Sequence, residues 1–277
     1  MPLAAINGAT IYYEEHGKGF PVVFVHGAGG NHMSWWQQVP EFARHYRCIT
    51  FDQRGWGLSL DSDGAGPIAL VDDLAGLLEH LGIDEAFLVA QSMGSLACFG
   101  LAVRQPQRVR GLVLANTFAG MRREVWMASS DEVRQGVRDT WERRQADTVK
   151  RALSREFSGR HKDRAFLYKQ IRLLNEHGPN HHHAGSRVDR YRALERSGEL
   201  AFTGEQMAKM AAPVLFIGGE HDEVMPVVLM EVAAGMVPGA RLVVVPGAGH
   251  SVYFEQPETF NHVVSDFFAA CGPEKGQ

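Results

Sequence analysis

"FLVAQSMGSLACFG", residues 87–100, sets an apolar run against a second stretch of small residues, with one serine at the corner between them. The segment "AFLVAQ" (86–91) reads as a buried strand and "SMGSLACFGLAVRQ" (92–105) as a helix. Ser92 therefore falls on a strand-to-helix turn, with Ala90 two positions before it and Gly94 two after. A turn of that tightness crowds the residues two before and two after its apex, and small side chains relieve the crowding. The apex side chain then stands clear of the fold. A serine hydroxyl placed there still needs a base to take its proton as it attacks. The competing reading is a serine that caps a helix.

Working outward, the same alternation of strand and helix extends in both directions. "LAAINGATIYYEE" carries Asn7-Gly8 between two strand-like runs, a hairpin signal. "PVVFVHG" (21–27) and "YRCITFD" (46–52) read as short buried strands, and "LVDDLAGLLEHLG" (70–82) as a helix with one leucine face, closed by Gly82. "VRGLVLAN" (109–116) is a further strand. Strands that alternate with helices imply a parallel sheet covered on both faces. The rhythm stops near Gly120 and resumes at "APVLFIGG" (212–219), followed by a helix around Val227–Met236, the strand "ARLVVVPG" (240–247) and the closing helix "PETFNHVVSDFFAACG" (257–272). The stretch between is charged, helical and strand-poor. The expected organisation is an α/β core of residues 1–120 and 211–277 with a helical cap inserted at 121–210.

Composition narrows the function classes. The chain has 277 residues, of which 45% are hydrophobic and 22% charged, as in ordinary globular proteins. A net charge of −4 gives no case for a nucleic-acid partner. Between Arg122 and Lys209 there are 19 basic and 13 acidic residues, a net of +6, so the remainder carries −10. That excess would suit an anionic substrate or simply a solvated face. Cys48, Cys98 and Cys271 show no ligand spacing, and Cys98 reads as a small buried hydrophobe. With no signal-like N-terminus and no long apolar span, a cytoplasmic protein without membrane contact is the expectation.

Two more polar residues lie just past predicted strands. Asp222 follows "APVLFIGG" within "EHDEVMP", and His250 follows "ARLVVVPG" within "AGHSVYFEQPE". The carboxyl edge of an open α/β sheet is where ligand sites form. The chain order serine, acid, histidine fits one known way of assembling a nucleophile, an orienting carboxylate and a base. Charge that builds on a carbonyl oxygen under attack needs preset N–H donors. Met93 can supply one at a helix N-terminus.

Together "VHGAGG", "FDQRGWGLS", "AQSMG", "GGEHDEVMP" and "GAGHSVYFEQPETFN", in that order, make the sequence resemble the α/β-hydrolase superfamily over nearly its whole length. The resemblance implies an α/β fold with a mostly parallel sheet, helices on both faces and a cap. It implies Ser92 as nucleophile, His250 as general acid/base and Asp222 as the residue that fixes the imidazole tautomer. It also implies Ala28 as the second oxyanion donor beside Met93. A serine rather than an aspartate at the elbow suits acyl transfer, so the expected reaction is hydrolysis of a small carboxylic ester or lactone through an acyl-enzyme. No cofactor or metal is expected, and the partner is a small-molecule substrate.

Other readings stay open: a C–C bond hydrolase of a ketone or dienone, a cofactor-free lyase or perhydrolase, and a slow-turnover ligand receptor. "HGAGGN", Ser251 after the histidine and Ser95 in place of a second elbow glycine depart from the ring-cleavage pattern. Gly29, Trp126 and Trp141 are the candidate substrate contacts, with core or cap packing the competing role for the tryptophans, as for Trp35 and Trp36. Asp52 and Arg54 are expected to brace their loop, His26 to orient the oxyanion loop, and Glu255 to anchor the turn before the closing helix. His181, His182 and His183 read as a loop tract. Oligomeric state is not legible.

Overall fold

The computed structural model describes residues 2–146, 152–177 and 200–272. Its strands are β1 (Leu3–Ile6), β2 (Ala9–His16), β3 (Phe20–Val25), β4 (Tyr46–Phe51), β5 (Leu60–Asp61), β6 (Ala86–Gln91), β7 (Val109–Ala115), β8 (Val214–Gly219) and β9 (Arg241–Val245). They form one sheet in the order β1-β2-β4-β3-β6-β7-β8-β9, with β5 paired to β2. The first hairpin turns through Asn7 and Gly8, both at positive φ (44° and 72°), as a tight two-residue connection requires. β2 meets β4 antiparallel, and from β4 to β9 all neighbours run parallel.

The helices are α1 (Val39–Phe42), α2 (Leu70–His80), α3 (Gly94–Arg104), α4 (Arg123–Met127), α5 (Asp131–Ala146), α6 (Arg155–Arg160), α7 (Lys162–His177), α8 (Gly204–Ala208), α9 (Val227–Met236), α10 (Val252–Glu255) and α11 (Pro257–Ala270). The side-chain period of two along each central strand divides the core into two layers. Val23, Val25, Leu88, Ala90, Leu112 and Leu114 pack with α2, α3 and α9 on one face. Val22, Phe24, Phe87, Val89, Val113 and Leu215 pack with Trp35, Phe42 and the Phe260–Phe268 side of α11 on the other. That burial on both faces explains why the strands read as apolar runs without alternation.

Two features of this order prepare a site. After β3 the chain crosses to β4 on one side, whereas after β6 it crosses to β7 on the other. The loops leaving the carboxyl ends of β3 and β6 therefore diverge and open a crevice between them. The segment between β7 and β8 holds α4 to α8, and its two ends meet. Phe202 donates to the Gly120 carbonyl at 2.8 Å and accepts from the Arg122 amide at 2.9 Å. Among the described residues, no helix is long and apolar enough to cross a membrane.

Candidate active site

Ser92 stands directly after β6 with φ at 49°, a left-handed conformation that non-glycine residues rarely adopt. Such a residue carries strain of about 1–3 kcal/mol and persists only where its surroundings fix it. Here the Ser92 amide donates to Ala115 at 2.8 Å, and the Ser92 carbonyl accepts from the Ser95 hydroxyl at 2.5 Å and the Ser95 amide at 3.0 Å. Gly94 lies so close to the end of β3 that an added Cβ would come within 2.6 Å of the Val25 and His26 carbonyl oxygens. Ala90 is fully buried between Val25 and Leu114. The small residues noted at these two positions thus answer to close backbone packing.

The structure brings Ser92, His250 and Asp222 together. His250 Nε2 lies 3.0 Å from the Ser92 hydroxyl, and its Nδ1 lies 2.8 and 3.0 Å from the two Asp222 oxygens. Asp222 is 4% exposed and accepts further hydrogen bonds from the amides of Val224 and Met225, at 2.8 and 2.9 Å, and from Asn116 Nδ2 at 3.0 Å. A carboxylate in that setting is an acceptor only, so Nδ1 carries the imidazole proton and Nε2 presents its lone pair to the serine. His250 comes from the loop after β9, where Glu255 collects the amides of Gly249 and Ser251 at 3.1 and 3.4 Å. Glu255 also accepts from the Ser154 amide at 3.1 Å, so it ties the inserted segment to this loop. Burial raises the Glu255 pKa, although these donors work against the shift.

Asn116 was not singled out in the sequence. It directly follows β7 at φ 53°, fully buried, and its amide group reaches Asp222 and the Gly249 carbonyl at 3.0 and 3.1 Å. The one signal for it is a polar residue just past the carboxyl end of a parallel strand, as Asp222 lies beyond the end of β8.

Ala28 and Gly29 lie on the loop after β3. His26 fastens its base: Nδ1 donates to the Gly27 carbonyl at 2.8 Å, and Nε2 accepts from the Gln53 amide at 3.0 Å. Full burial holds the His26 pKa down to about 4, so the ring is neutral at pH 7 and its two nitrogens keep opposite roles. Asp52 accepts from the His32 amide at 2.6 Å, from the His32 ring at 2.9 Å and from the Leu58 amide at 2.7 Å. Burial opposes protonation of His32, but its hydrogen bond to Asp52 and the charges of Asp52 and Glu14 outweigh that and raise its pKa. Arg54 is buried and pairs with Asp73, Asp61 and Asp63 at 2.7, 3.1 and 2.5 Å. Both Asp52 and Arg54 act as braces.

Helix α7 contributes three residues that the sequence reading passed over. Tyr168 shares a hydrogen bond with Ser251 at 2.9 Å, Arg172 donates to the Ala28 carbonyl at 3.2 Å, and Asn175 donates to the Gly29 carbonyl at 2.8 Å. Gly29 has φ 78°, and a Cβ there would strike the Arg172 guanidinium. Tyr168 and Arg172 join Ala28, Gly30, Gln91 and Tyr253 around a cavity of about 10 Å³, room for one water at most. A larger cleft of about 700 Å³ opens behind Asp222, between α5, α6 and the start of α9. It is bordered by Asp222 but by neither Ser92 nor Ala28, whereas the smaller cavity is bordered by Ala28 but not by Ser92.

Trp126 and Trp141 pack edge to face at 5.9 Å, join the core around α4 and α5, and border neither cavity. Trp35 is a core residue tilted at 40° against Tyr253, and Trp36 is exposed against Phe254. Cys98 is fully buried. His181, His182 and His183 lie outside the described residues. Among the described residues, no group of three or more histidine, cysteine or acidic side chains is arranged to hold a metal ion.

Residues 21–257 match the family model for the alpha/beta hydrolase fold. BpoC of Mycobacterium tuberculosis, provisionally named a non-heme bromoperoxidase, is 32% identical over 268 residues, covering 94% of this chain and 98% of its own. The 3-oxoadipate enol-lactonase 2 of Acinetobacter baylyi is 29% identical over 248 residues, covering 88% of this chain and 86% of its own. Among solved structures, a thermophilic esterase from Thermogutta terrifontis superposes with a TM-score of 0.78 at 25% identity, covering 99% of this chain and 100% of its own. With the sheet order, the crevice and these matches in agreement, the chain is a hydrolase belonging to the α/β-hydrolase fold family.

Proposed function

We propose that the protein hydrolyses a small carboxylic ester or lactone through an acyl-enzyme on Ser92. The observation that carries this reading is the 3.0 Å approach of the Ser92 hydroxyl to a histidine nitrogen whose partner nitrogen is committed to Asp222. His250 Nε2 accepts the serine proton as Oγ bonds to the carbonyl carbon, and the carbonyl electron pair moves onto oxygen. The amides of Met93 and Ala28 then hold that oxyanion, and Asp222 stabilises the imidazolium. Collapse of the intermediate expels the alcohol, which takes its proton from His250. Water repeats the sequence on the acyl group, releasing the acid and free Ser92. Relatives named as an esterase and an enol-lactonase support this substrate class.

The test is turnover on a panel of short 4-nitrophenyl esters and lactones by the wild type and by Ser92→Ala. The expected result is a loss of at least about 10³-fold in kcat with the fold intact by circular dichroism. A Ser92→Ala variant that keeps most of the ester hydrolysis overturns the proposal.

A further inference from the structure

We propose that Asn175, on helix α7 of the inserted segment, is a positioning residue that fixes the loop carrying Ala28. The inference rests on the role given to Ala28 above.

The loop after β3 is held from two sides. From below, His26 and the Gly30 amide secure the Gly27 carbonyl at 2.8 and 3.0 Å. In a trans peptide the N–H points opposite to its own C=O, so holding the Gly27 carbonyl orients the Ala28 amide. From above, the next three carbonyls are all taken by α7. Arg172 binds that of Ala28 at 3.2 Å, and Asn175 Nδ2 binds those of Gly29 and Gly30 at 2.8 and 3.2 Å. The loop grips the helix in return, because Asn31 Nδ2 donates to the Ile171 carbonyl at 2.7 Å.

Asn175 is 4% exposed, and its orientation is decided by chemistry. Its Oδ1 accepts from the Gly57 amide at 2.8 Å, so the NH2 group must face the two loop carbonyls. An aspartate there would set a second oxygen against those carbonyls. An aliphatic residue would strand three backbone groups, those of Gly30 and Gly57 buried and that of Gly29 half-buried. Gly29, at φ 78°, cannot hold its conformation by its own side chain and depends on these outside bonds. A loop of this kind built only from glycine and alanine has little rigidity of its own. The inserted segment supplies it.

The consequence is specific. Asn175 touches neither Ser92 nor a reacting carbonyl, so its loss should act on the transition state through the Ala28 amide and leave ground-state binding nearly unchanged. The experiment measures Asn175→Ala and Asn175→Asp on 4-nitrophenyl butanoate, with affinity for a matched trifluoromethyl ketone, which forms a hemiketal oxyanion on serine. Only the rate lost on Ser92→Ala is counted, so a failure of the serine assignment appears separately, as a wild-type rate that does not depend on Ser92.

The expected result is a fall of 10- to 100-fold in kcat, KM within twofold, and ketone affinity weakened by the same factor as kcat/KM. A kcat within twofold of wild type in a folded variant overturns the proposal. So does a loss confined to KM, or a loss of rate without loss of ketone affinity. Should Asn175→Ala fail to fold, Asn175→Asp, which preserves volume and the Gly57 contact, carries the test alone.

Discussion

At Ser92 a backbone angle of 49° coexists with a side chain that must remain free, and the two demands are met by different atoms. The backbone strain is offset by bonds to Ala115 and Ser95, which leave the hydroxyl for His250. Asp222 shows the converse economy, because every one of its contacts is a donor facing it. An asparagine in its place offers a single acceptor oxygen to four donors, so one N–H must confront another or the imidazole must change tautomer. Asp222→Asn is therefore expected to lower kcat by about 10³–10⁴-fold with little change in KM, measured on the same ester panel. An activity within tenfold of wild type would remove Asp222 from the mechanism. Ser92, Asp222 and His250 could be picked out as candidates in the sequence because each follows a strand at the sheet's carboxyl edge, Ser92 and His250 among small neighbours and Asp222 between His221 and Glu223. Asn116 meets the same condition, yet its place at the end of "VRGLVLAN" looks like an ordinary loop start until the strand beside it is known.

Among the elements, the central strands and core helices declared themselves through unbroken apolar runs and leucine spacing. β6 falls on 86–91 as its sequence implies, and α9 on Val227–Met236; the other ends coincide or move by one or two residues. Helix α7 was legible as a helix but not as a participant. Its working face is Tyr168, Arg172 and Asn175, polar residues at helical spacing; Arg172 and Asn175 bind backbone of the loop after β3, and Tyr168 meets the Ser251 hydroxyl. Nothing in a helix's own periodicity separates such a face from a solvated one. The tryptophans carry the opposite ambiguity, since large aromatics fit a core as readily as a pocket, and Trp126 and Trp141 pack with the core. The junction of β6 and α3 offers a prediction at this scale. Gly94→Ala forces a methyl against the Val25 and His26 carbonyls, so it is expected to cost about 1–3 kcal/mol of unfolding free energy. A urea denaturation midpoint equal to that of the wild type would show that α3 can shift to admit it.

Across the whole molecule, stability should depend on pH through a histidine that takes no proton. His26 has its pKa lowered from 6.5 to about 4 in the folded chain, while the unfolded chain titrates near the ordinary value. Between those two values the unfolded state binds a proton that the folded state refuses, so stability falls as pH drops. The slope is about 1.4 kcal/mol per pH unit from this group. His32, whose pKa is raised, acts in the other sense: its contribution is complete below the ordinary value and is lost as pH rises through the folded one. His26→Gln keeps a donor and an acceptor but cannot titrate, and its denaturation midpoints between pH 6.5 and 4 should decline less steeply than those of the wild type. Equal slopes would mean that His26 is protonated in the fold. The sheet order has one more consequence, for the chain as it is made. The loop of Ala28 and the elbow of Ser92 both lie in the first third of the sequence, whereas His250 follows β9, which closes the sheet's far edge on β8. Until the residues after β9 have been made, a nascent chain holds the Ser92 hydroxyl without the His250 imidazole that the proposed acyl transfer requires.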